Sequence, residues 1–368
     1  MHVPMMDLRR QYAGLKNEID QAVSGVLESQ RFRGGPVVEA FEAAVAAYTG
    51  GQHALGVSTG TDAILLLVRA LDLKPGDEII TTPFTFFATG GAIVNAGGVP
   101  VFVDIDPATF NIDVTKIEAA ITPRTRAIIP VHIFGQCADM DPILAIAAKH
   151  GLPVFEDAAQ ALGAKYKGRM ACSMGVGAGI SYYPTKNLGA AGEGGMVITN
   201  AEWLYDKVRL LRAHGAAKTY IHEIVGTNSH LHAMQAAVLH AKLPSLDAWN
   251  AQRVAIAQRY EAALGALPGV VTPKTLPGND HVWHQYVIRI TKRDAALELL
   301  RARDIECGVF YPLPLHRQEC FAPYGAAQHA CPEADRASAE VLALPIFPEM
   351  TEEEQAYVIA AVVEHVKG

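Results

Sequence analysis

Ser181-Tyr182-Tyr183-Pro184-Thr185-Lys186-Asn187-Leu188-Gly189, followed by Gly192-Glu193-Gly194-Gly195, is the stretch on which the reading of this chain turns. The apolar run Gly179 to Tyr182 reads as a buried strand; Pro184 blocks its regular continuation, and the glycines let backbone pass close to another group. Lys186 is therefore delivered on a turn at a strand end. Most lysines are simply solvated. One in such a partly desolvated place has a lowered pKa, and its free amine can attack a carbonyl to form a Schiff base.

A second segment, Leu152-Pro153-Val154-Phe155-Glu156-Asp157-Ala158-Ala159-Gln160, is a short apolar strand that ends in carboxylates and runs into small residues. Pyridoxal phosphate held by a lysine acts as an electron sink only while its ring nitrogen stays protonated, which a buried carboxylate enforces. Asp157 suits that role. It equally suits a helix N-cap before Ala158-Ala159, and the residues alone leave both readings open.

A third segment, Ala54-Leu55-Gly56-Val57-Ser58-Thr59-Gly60-Thr61-Asp62-Ala63, leads into the apolar stretch Ile64 to Leu71. Strand, hydroxyl-rich loop and helix start together make a phosphate cradle from backbone amides and the positive end of the helix dipole. The segment has neither G-x-x-x-x-G-K nor G-x-G-x-x-G, and an ordinary capped turn is the competing reading.

In this order, with Gln160 three residues after Asp157 and Ser181 five before Lys186, the segments resemble the fold-type I pyridoxal-phosphate enzymes. More closely, the chain resembles the DegT/DnrJ/EryC1/StrS sugar aminotransferases. The likeness extends to Gly76–Phe86, Pro100–Asp106, Val131–Gln136, Val225–Ser229 and Tyr311-Pro312-Leu313-Pro314-Leu315-His316. It implies an α/β fold: a large domain with a mostly parallel seven-stranded sheet and a smaller C-terminal α+β domain. It also implies pyridoxal 5'-phosphate as cofactor, passing through pyridoxamine phosphate, with Lys186 as the Schiff-base lysine and Asp157 on the ring nitrogen. Gln160 would meet the ring hydroxyl and Phe86 would stack on the ring, against bland readings as a surface amide and a core phenylalanine. The Gly60 and Thr61 backbone, Thr59 and Ser181 would hold the phosphate. Asn228 matches a residue that relatives contribute from the neighbouring subunit, which implies a homodimer with composite active sites.

Two departures bear on the substrate. Relatives usually carry Asn-x-Arg where this chain has Asn228-Ser229-His230, and those acting on uronate sugars also carry a histidine where this chain has Phe310. An arginine fork is a natural carboxylate receptor, so its loss favours a neutral keto sugar, 6-deoxy in type. A protonated His230, or Arg33, taking over that task is the counter-reading. Tyr311 and His316 are further substrate candidates, with a turn cap the equal alternative for His316. The expected activity is transfer of an amino group from L-glutamate to a nucleotide-linked keto sugar, at C3 on the likeness of Gly135-Gln136 and Tyr311–His316. C4 amination, a uronate, a cyclitol-type carbonyl and a non-catalytic regulator are the rivals; the dehydrating branch replaces the lysine with histidine, whereas Lys186 is intact.

Composition sets bounds on this reading. With 368 residues and 50% hydrophobic content, the chain can bury two cores, and a net charge of −7 argues against a nucleic-acid partner. Five cysteines without a C-x-x-C pair fit reduced thiols and a cytoplasmic setting. No signal-peptide pattern opens the sequence, and the uncharged run Ile79 to Val103 is broken by Pro83, Asn95 and Pro100, so no membrane span is expected. The histidines, His132, His214, His230 and His232 among them, fall into no metal-ligand motif, and no metal is expected.

Apolar residues at helical spacing, Leu15, Ile19, Val23 and Val26, then Val37, Phe41, Val45 and Tyr48, predict two helices before the first strand. Strands are predicted at Ala54–Val57, Glu78–Thr81, Val101–Val103, Ala127–Val131, Pro153–Glu156, Gly179–Tyr182 and Met196–Thr199, short and apolar as in a sheet covered on both faces. The pattern changes near 240, dividing the chain into a large domain of residues 1–240 and a small one of 241–368, with a strand over Trp283–Arg289.

Overall fold

Neighbouring apolar residues in the central strands go to opposite sides of one sheet: Ile79, Ala127 and Val197 pack on one face, and Ile80, Ile128 and Ile198 on the other. A strand's side chains alternate, so a continuous apolar run needs cover on both sides. The computed structural model of the chain describes residues 1–367. The first helices are α1 (Leu8–Ser29), capped by the Asp7 carboxylate, and α2 (Pro36–Thr49), which starts on a proline and ends at Gly50 with φ 76°. Then follow β1 (His53–Val57), α3 (Gly60–Arg69), β2 (Glu78–Thr81), α4 (Phe87–Asn95), β3 (Val99–Phe102), β4 (Thr125–Ile128), α5 (Met140–His150), β5 (Phe155–Asp157), β6 (Gly177–Ser181), β7 (Gly195–Thr199), α6 (Glu202–Leu211) and α7 (Ala233–Lys242). Helices α3, α4 and α6 contribute to the cluster on the first face, and α1, α2, α5 and α7 to that on the second.

Two ladders, β1-β7-β6-β5 and β3-β2-β4, are joined by parallel bridges from Ile128 to Val154 and Val131 to Asp157, giving the order β1-β7-β6-β5-β4-β2-β3. Seven strands were expected, and the observed boundaries differ by up to three residues at an end. Only β7 runs against its neighbours. The 182–194 connection carries Pro184 and glycines but no crossover helix, so the chain returns antiparallel.

The chain continues through α8 (Leu246–Leu264), β8 (Val270–Val271), β9 (Tyr286–Ile290), α9 (Arg293–Ala302), α10 (Pro332–Glu340), β10 (Val341–Leu344) and α11 (Glu352–Lys367). Strands β8, β9 and β10 form a second, antiparallel sheet. Ile256, Tyr260, Ile288, Leu300, Leu342 and Val358 make its core, joined by Val3 from the N-terminus. Val282 packs instead with the large cluster, and Asn279–Asp280 pairs with Lys165–Tyr166 in a small separate antiparallel sheet, so this segment crosses back to the large cluster.

The sheet register gathers the site. Val57 at the end of β1 and Ser181 at the end of β6 both lie opposite Gly195, while Asp157 lies opposite Gly179. These are the carboxyl ends of parallel strands, the edge at which α/β sheets bind ligands.

Candidate active site

The lysine turn is closed by its own backbone: the Lys186 N–H donates to the Tyr183 carbonyl at 2.8 Å and Ala190 N–H to the Tyr182 carbonyl at 2.8 Å. A Cβ on Gly189 would stand 2.1 Å from the Pro184 oxygen, so the tightness of this turn demands glycine there. Burial of the Lys186 amine lowers its pKa to about 8, with the Asp157 charge opposing the shift.

Asp157 is 5% exposed. Thr89 Oγ1 donates to its Oδ2 at 2.7 Å, and the Ala159 N–H to its Oδ1 at 3.2 Å. Burial pushes the carboxyl above its usual range, against those two bonds and the Lys186 charge. A cationic ring nitrogen opposite it would favour the charged form. Thr85 lies 3.1 Å from Thr89 and, since the Thr89 proton is committed to Asp157, Thr85 is the donor of that pair. Neither threonine had been singled out from the sequence, although they stand four residues apart, at helical spacing.

Gln160 is oriented by its surroundings. Its Oε1 accepts from the Phe134 N–H at 2.6 Å, so its Nε2 donates to the Tyr311 hydroxyl at 3.2 Å. It is buried, which removes the surface-amide reading. The Tyr311 ring meets Phe84 edge-on at 5.9 Å. Phe84 is fully buried, whereas Phe86 is 59% exposed, so the core reading belongs to Phe84 and not to Phe86.

The loop before α3 is pressed against β6. A Cβ on Gly60 would lie 2.4 Å from the Ser181 Cβ, and one on Gly195 would lie 2.2 Å from the Thr59 carbonyl oxygen. Thr59 is the N-cap of α3: its Oγ1 accepts from the Asp62 N–H at 2.9 Å. Gly60 and Thr61 are the first helical residues, whose N–H groups have no acceptor within the helix. The capped-turn reading holds for Thr59, and the cap leaves the Gly60 and Thr61 amides uncommitted.

Asn228 lies exposed beyond the Ala216–Lys218 and Ile221–His222 hairpin, and among the described residues it makes no side-chain hydrogen bond to the lysine or Asp157. Its neighbour Ser229 donates to Asp62 and accepts from the Ser58 N–H, fixing this segment to the start of α3. His230 Nε2 accepts from Arg33 at 2.6 Å; burial and that guanidinium lower its pKa to about 4. His230 is thus a neutral acceptor, and Arg33 is the cation at this position. Phe310 packs beside Gly308 and against Tyr311. His316 makes no side-chain hydrogen bond to Lys186, Asp157 or Gln160: it is buried, with Nε2 3.2 Å from Asp335 in a geometry too poor for a hydrogen bond, and burial lowers its pKa. The adjacent Leu315 N–H donates to the Pro83 carbonyl, tying this loop to the one that carries Phe86.

Below the site, the fully buried Glu156 accepts from His132 Nε2 at 2.9 Å and from the N–H groups of Cys172, Met174 and Gly175. Because His132 Nδ1 accepts from the Ala138 N–H, its proton sits on Nε2. Despite its burial, Glu156 is held below the usual glutamate range by these donors, His132 foremost. This pair fastens the base of Asp157. Among the described residues, no helix is long and apolar enough to cross a membrane.

A lysine of lowered pKa, a buried carboxylate, an oriented amide, an exposed aromatic and a glycine-floored helix start fit pyridoxal phosphate in charge and shape. The profile of the DegT/DnrJ/EryC1/StrS aminotransferase family matches residues 14–363, and the chain belongs to that family of fold-type I enzymes. It is 51% identical to a pleiotropic regulatory protein of Geobacillus stearothermophilus, over 99% of this chain and 98% of that one. It is 44% identical to the UDP-N-acetyl-3-dehydro-alpha-D-glucosamine 3-aminotransferase of Acidithiobacillus ferrooxidans, over 98% and 97%. Among solved structures, S. venezuelae DesV in complex with a ketimine intermediate superposes with a TM-score of 0.97 at 42% identity, covering 100% of this chain and 99% of that one.

Proposed function

We propose that this aminotransferase uses pyridoxal phosphate to carry an amino group from L-glutamate to C3 of a nucleotide-linked keto sugar, in two half-reactions. The observation that carries the reading is the convergence of Lys186, Asp157, Gln160 and the Gly60–Ser181 contact on one edge of the sheet. The cofactor, when bound, supplies the electron sink. Asp157 keeps negative charge where the ring nitrogen would sit, and the Gln160 amide faces the ring's hydroxyl edge. Phe86 covers the ring, and the Gly60 and Thr61 amides with Ser181 receive the phosphate. Lys186, once displaced by the amino donor, is the base that takes and returns the proton at the substrate carbon. Asn228, exposed beyond that hairpin, reaches a partner subunit, which makes the working unit a homodimer. Five free cysteines support a reducing, cytoplasmic setting.

The names of the relatives support a nucleotide sugar with a 3-keto group. A neutral sugar is favoured by the uncharged His230 and by Phe310 at the place where uronate enzymes carry histidine. One observation favours a second reading: Arg33, seated on His230, offers a guanidinium that a sugar carboxylate would satisfy. The regulatory name of one relative is compatible with catalysis, since the lysine and its partners are all present. The test is a single-turnover assay of the glutamate-loaded enzyme against neutral and uronate 3-keto and 4-keto nucleotide sugars. Amination of a neutral 3-keto sugar is expected. Reaction with none of them, while glutamate still loads the cofactor, contradicts the assigned substrate class.

A further inference from the structure

The residue after the lysine is more firmly held than the lysine itself. Asn187 is 4% exposed; its Nδ2 donates to Asn250 Oδ1 at 2.7 Å and to the Val282 carbonyl at 3.1 Å. Both amide protons are thereby committed, so Asn187 Oδ1 is an acceptor, and the His284 Nδ1 that lies 3.1 Å from it carries the proton. The network continues outward: Asn250 Nδ2 donates to the Leu162 carbonyl, which anchors it beside the Gln160 segment.

His284 is set in place with unusual care for a residue far from Lys186 in sequence. Trp283 before it has φ 48°, a left-handed conformation that a bulky side chain adopts only when its surroundings impose it. The buried guanidinium of Arg253 donates from Nη1 to the carbonyls of Trp283 and His284, and the Val282 N–H donates to Gly135 O at 2.9 Å. A Cβ on Gly135 would stand 2.8 Å from the His284 nitrogen, so the backbone here needs glycine, whose φ is 104°. His284 is buried, and burial first, then the charges of Lys186 and Arg253, holds it well below the usual histidine range, so it is neutral.

We propose that His284 is a positioning residue for Lys186, acting through the Asn187 carboxamide to fix where the lysine turn stands at the end of β6. A neutral imidazole is what the place requires, because a second cation beside the amine would oppose any positive charge carried by the lysine nitrogen. The idea rests on the reading of Lys186 as the covalent lysine, and the test separates the two.

The rate at which pyridoxal phosphate added to cofactor-free protein becomes a borohydride-reducible adduct at Lys186 is measured at saturating cofactor, with thermal unfolding followed in parallel. His284→Ala should slow adduct formation at least tenfold. His284→Asn, whose amide N–H occupies the place of Nδ1–H, should restore the rate to within about threefold of wild type, whereas His284→Gln, which moves the donor to the Nε2 position, should not. Packing alone does not distinguish asparagine from glutamine in this direction, and if the alanine variant fails to fold, the asparagine and glutamine pair decides the matter. An unchanged rate in His284→Ala, or a His284→Asn no faster than His284→Gln, overturns the proposal. A wild-type protein that forms no adduct at all sinks the Lys186 reading itself, before any variant is compared.

Discussion

Thr89 Oγ1 donates a 2.7 Å hydrogen bond to Asp157 Oδ2, placing a hydroxyl from α4 against the one buried carboxylate that neighbours the lysine. That bond holds down a carboxyl which burial pushes up. Thr89→Val should therefore raise the Asp157 pKa further and slow the glutamate half-reaction about tenfold, the worth of one hydrogen bond to a charged group. Asp157→Asn should cost far more, since it removes the charge outright. Stopped-flow absorbance of the bound cofactor reads both, and wild-type rates in either variant contradict the role given to this carboxylate.

Phe84 and Phe86 stand two residues apart with opposite surroundings, fully buried and 59% exposed. Phe86→Ala should change folding stability by no more than about 0.5 kcal/mol, as for an ordinary surface substitution. Its cofactor affinity should fall about tenfold, the scale of one aromatic stacking contact. Phe84→Ala should cost about 3–5 kcal/mol of stability. Equilibrium denaturation and cofactor titration distinguish the two; a destabilised Phe86→Ala with normal affinity contradicts the stacking role.

Glu156 is a buried carboxylate whose oxygens receive His132 and three backbone N–H groups. Glu156→Gln puts an amide N–H2 against donors and should cost about 3 kcal/mol. The pH sign follows from its lowered pKa: the folded state holds the proton less tightly than the unfolded chain, so this stabilisation is present at neutral pH and lost as pH falls through the folded value. Denaturation midpoints measured on acidification should fall more steeply in wild type than in Glu156→Gln.

Lys186 titrates near pH 8 by burial, so its free amine accumulates as pH rises toward and past that value. The initial rate of cofactor capture by cofactor-free protein should climb through pH 7 to 8 and level off above about 9. A rate still rising steeply at pH 10, as for a solvated lysine, contradicts the desolvated setting.

Much of this was legible in the sequence because it rests on short-range chemistry. Apolar runs bounded by glycine and proline announce the central strands, and Pro184 with its glycines announces the turn that delivers Lys186. The antiparallel course of β7 was not legible, since an apolar strand carries no mark of its direction. Nor was the exposure of Phe86, which the residues alone left open to a core reading, since burial in an irregular loop is set by distant packing. The N-cap reading of Asp157 did not hold: no helix follows it, and its Oδ1 takes the Ala159 N–H across a turn while Oδ2 takes Thr89. Pairs such as Asn187–His284 and Arg33–His230, 97 and 197 residues apart, are set by tertiary packing and leave no local pattern to read.

The central claim is a covalent bond between the Lys186 amine and the cofactor's aldehyde. Wild-type protein saturated with pyridoxal phosphate, reduced with borohydride and mapped by peptide mass spectrometry should carry a single pyridoxyl group on the peptide containing Lys186, absent from Lys186→Ala of unchanged fold. A label spread over surface lysines, or one that persists in Lys186→Ala, would contradict the account.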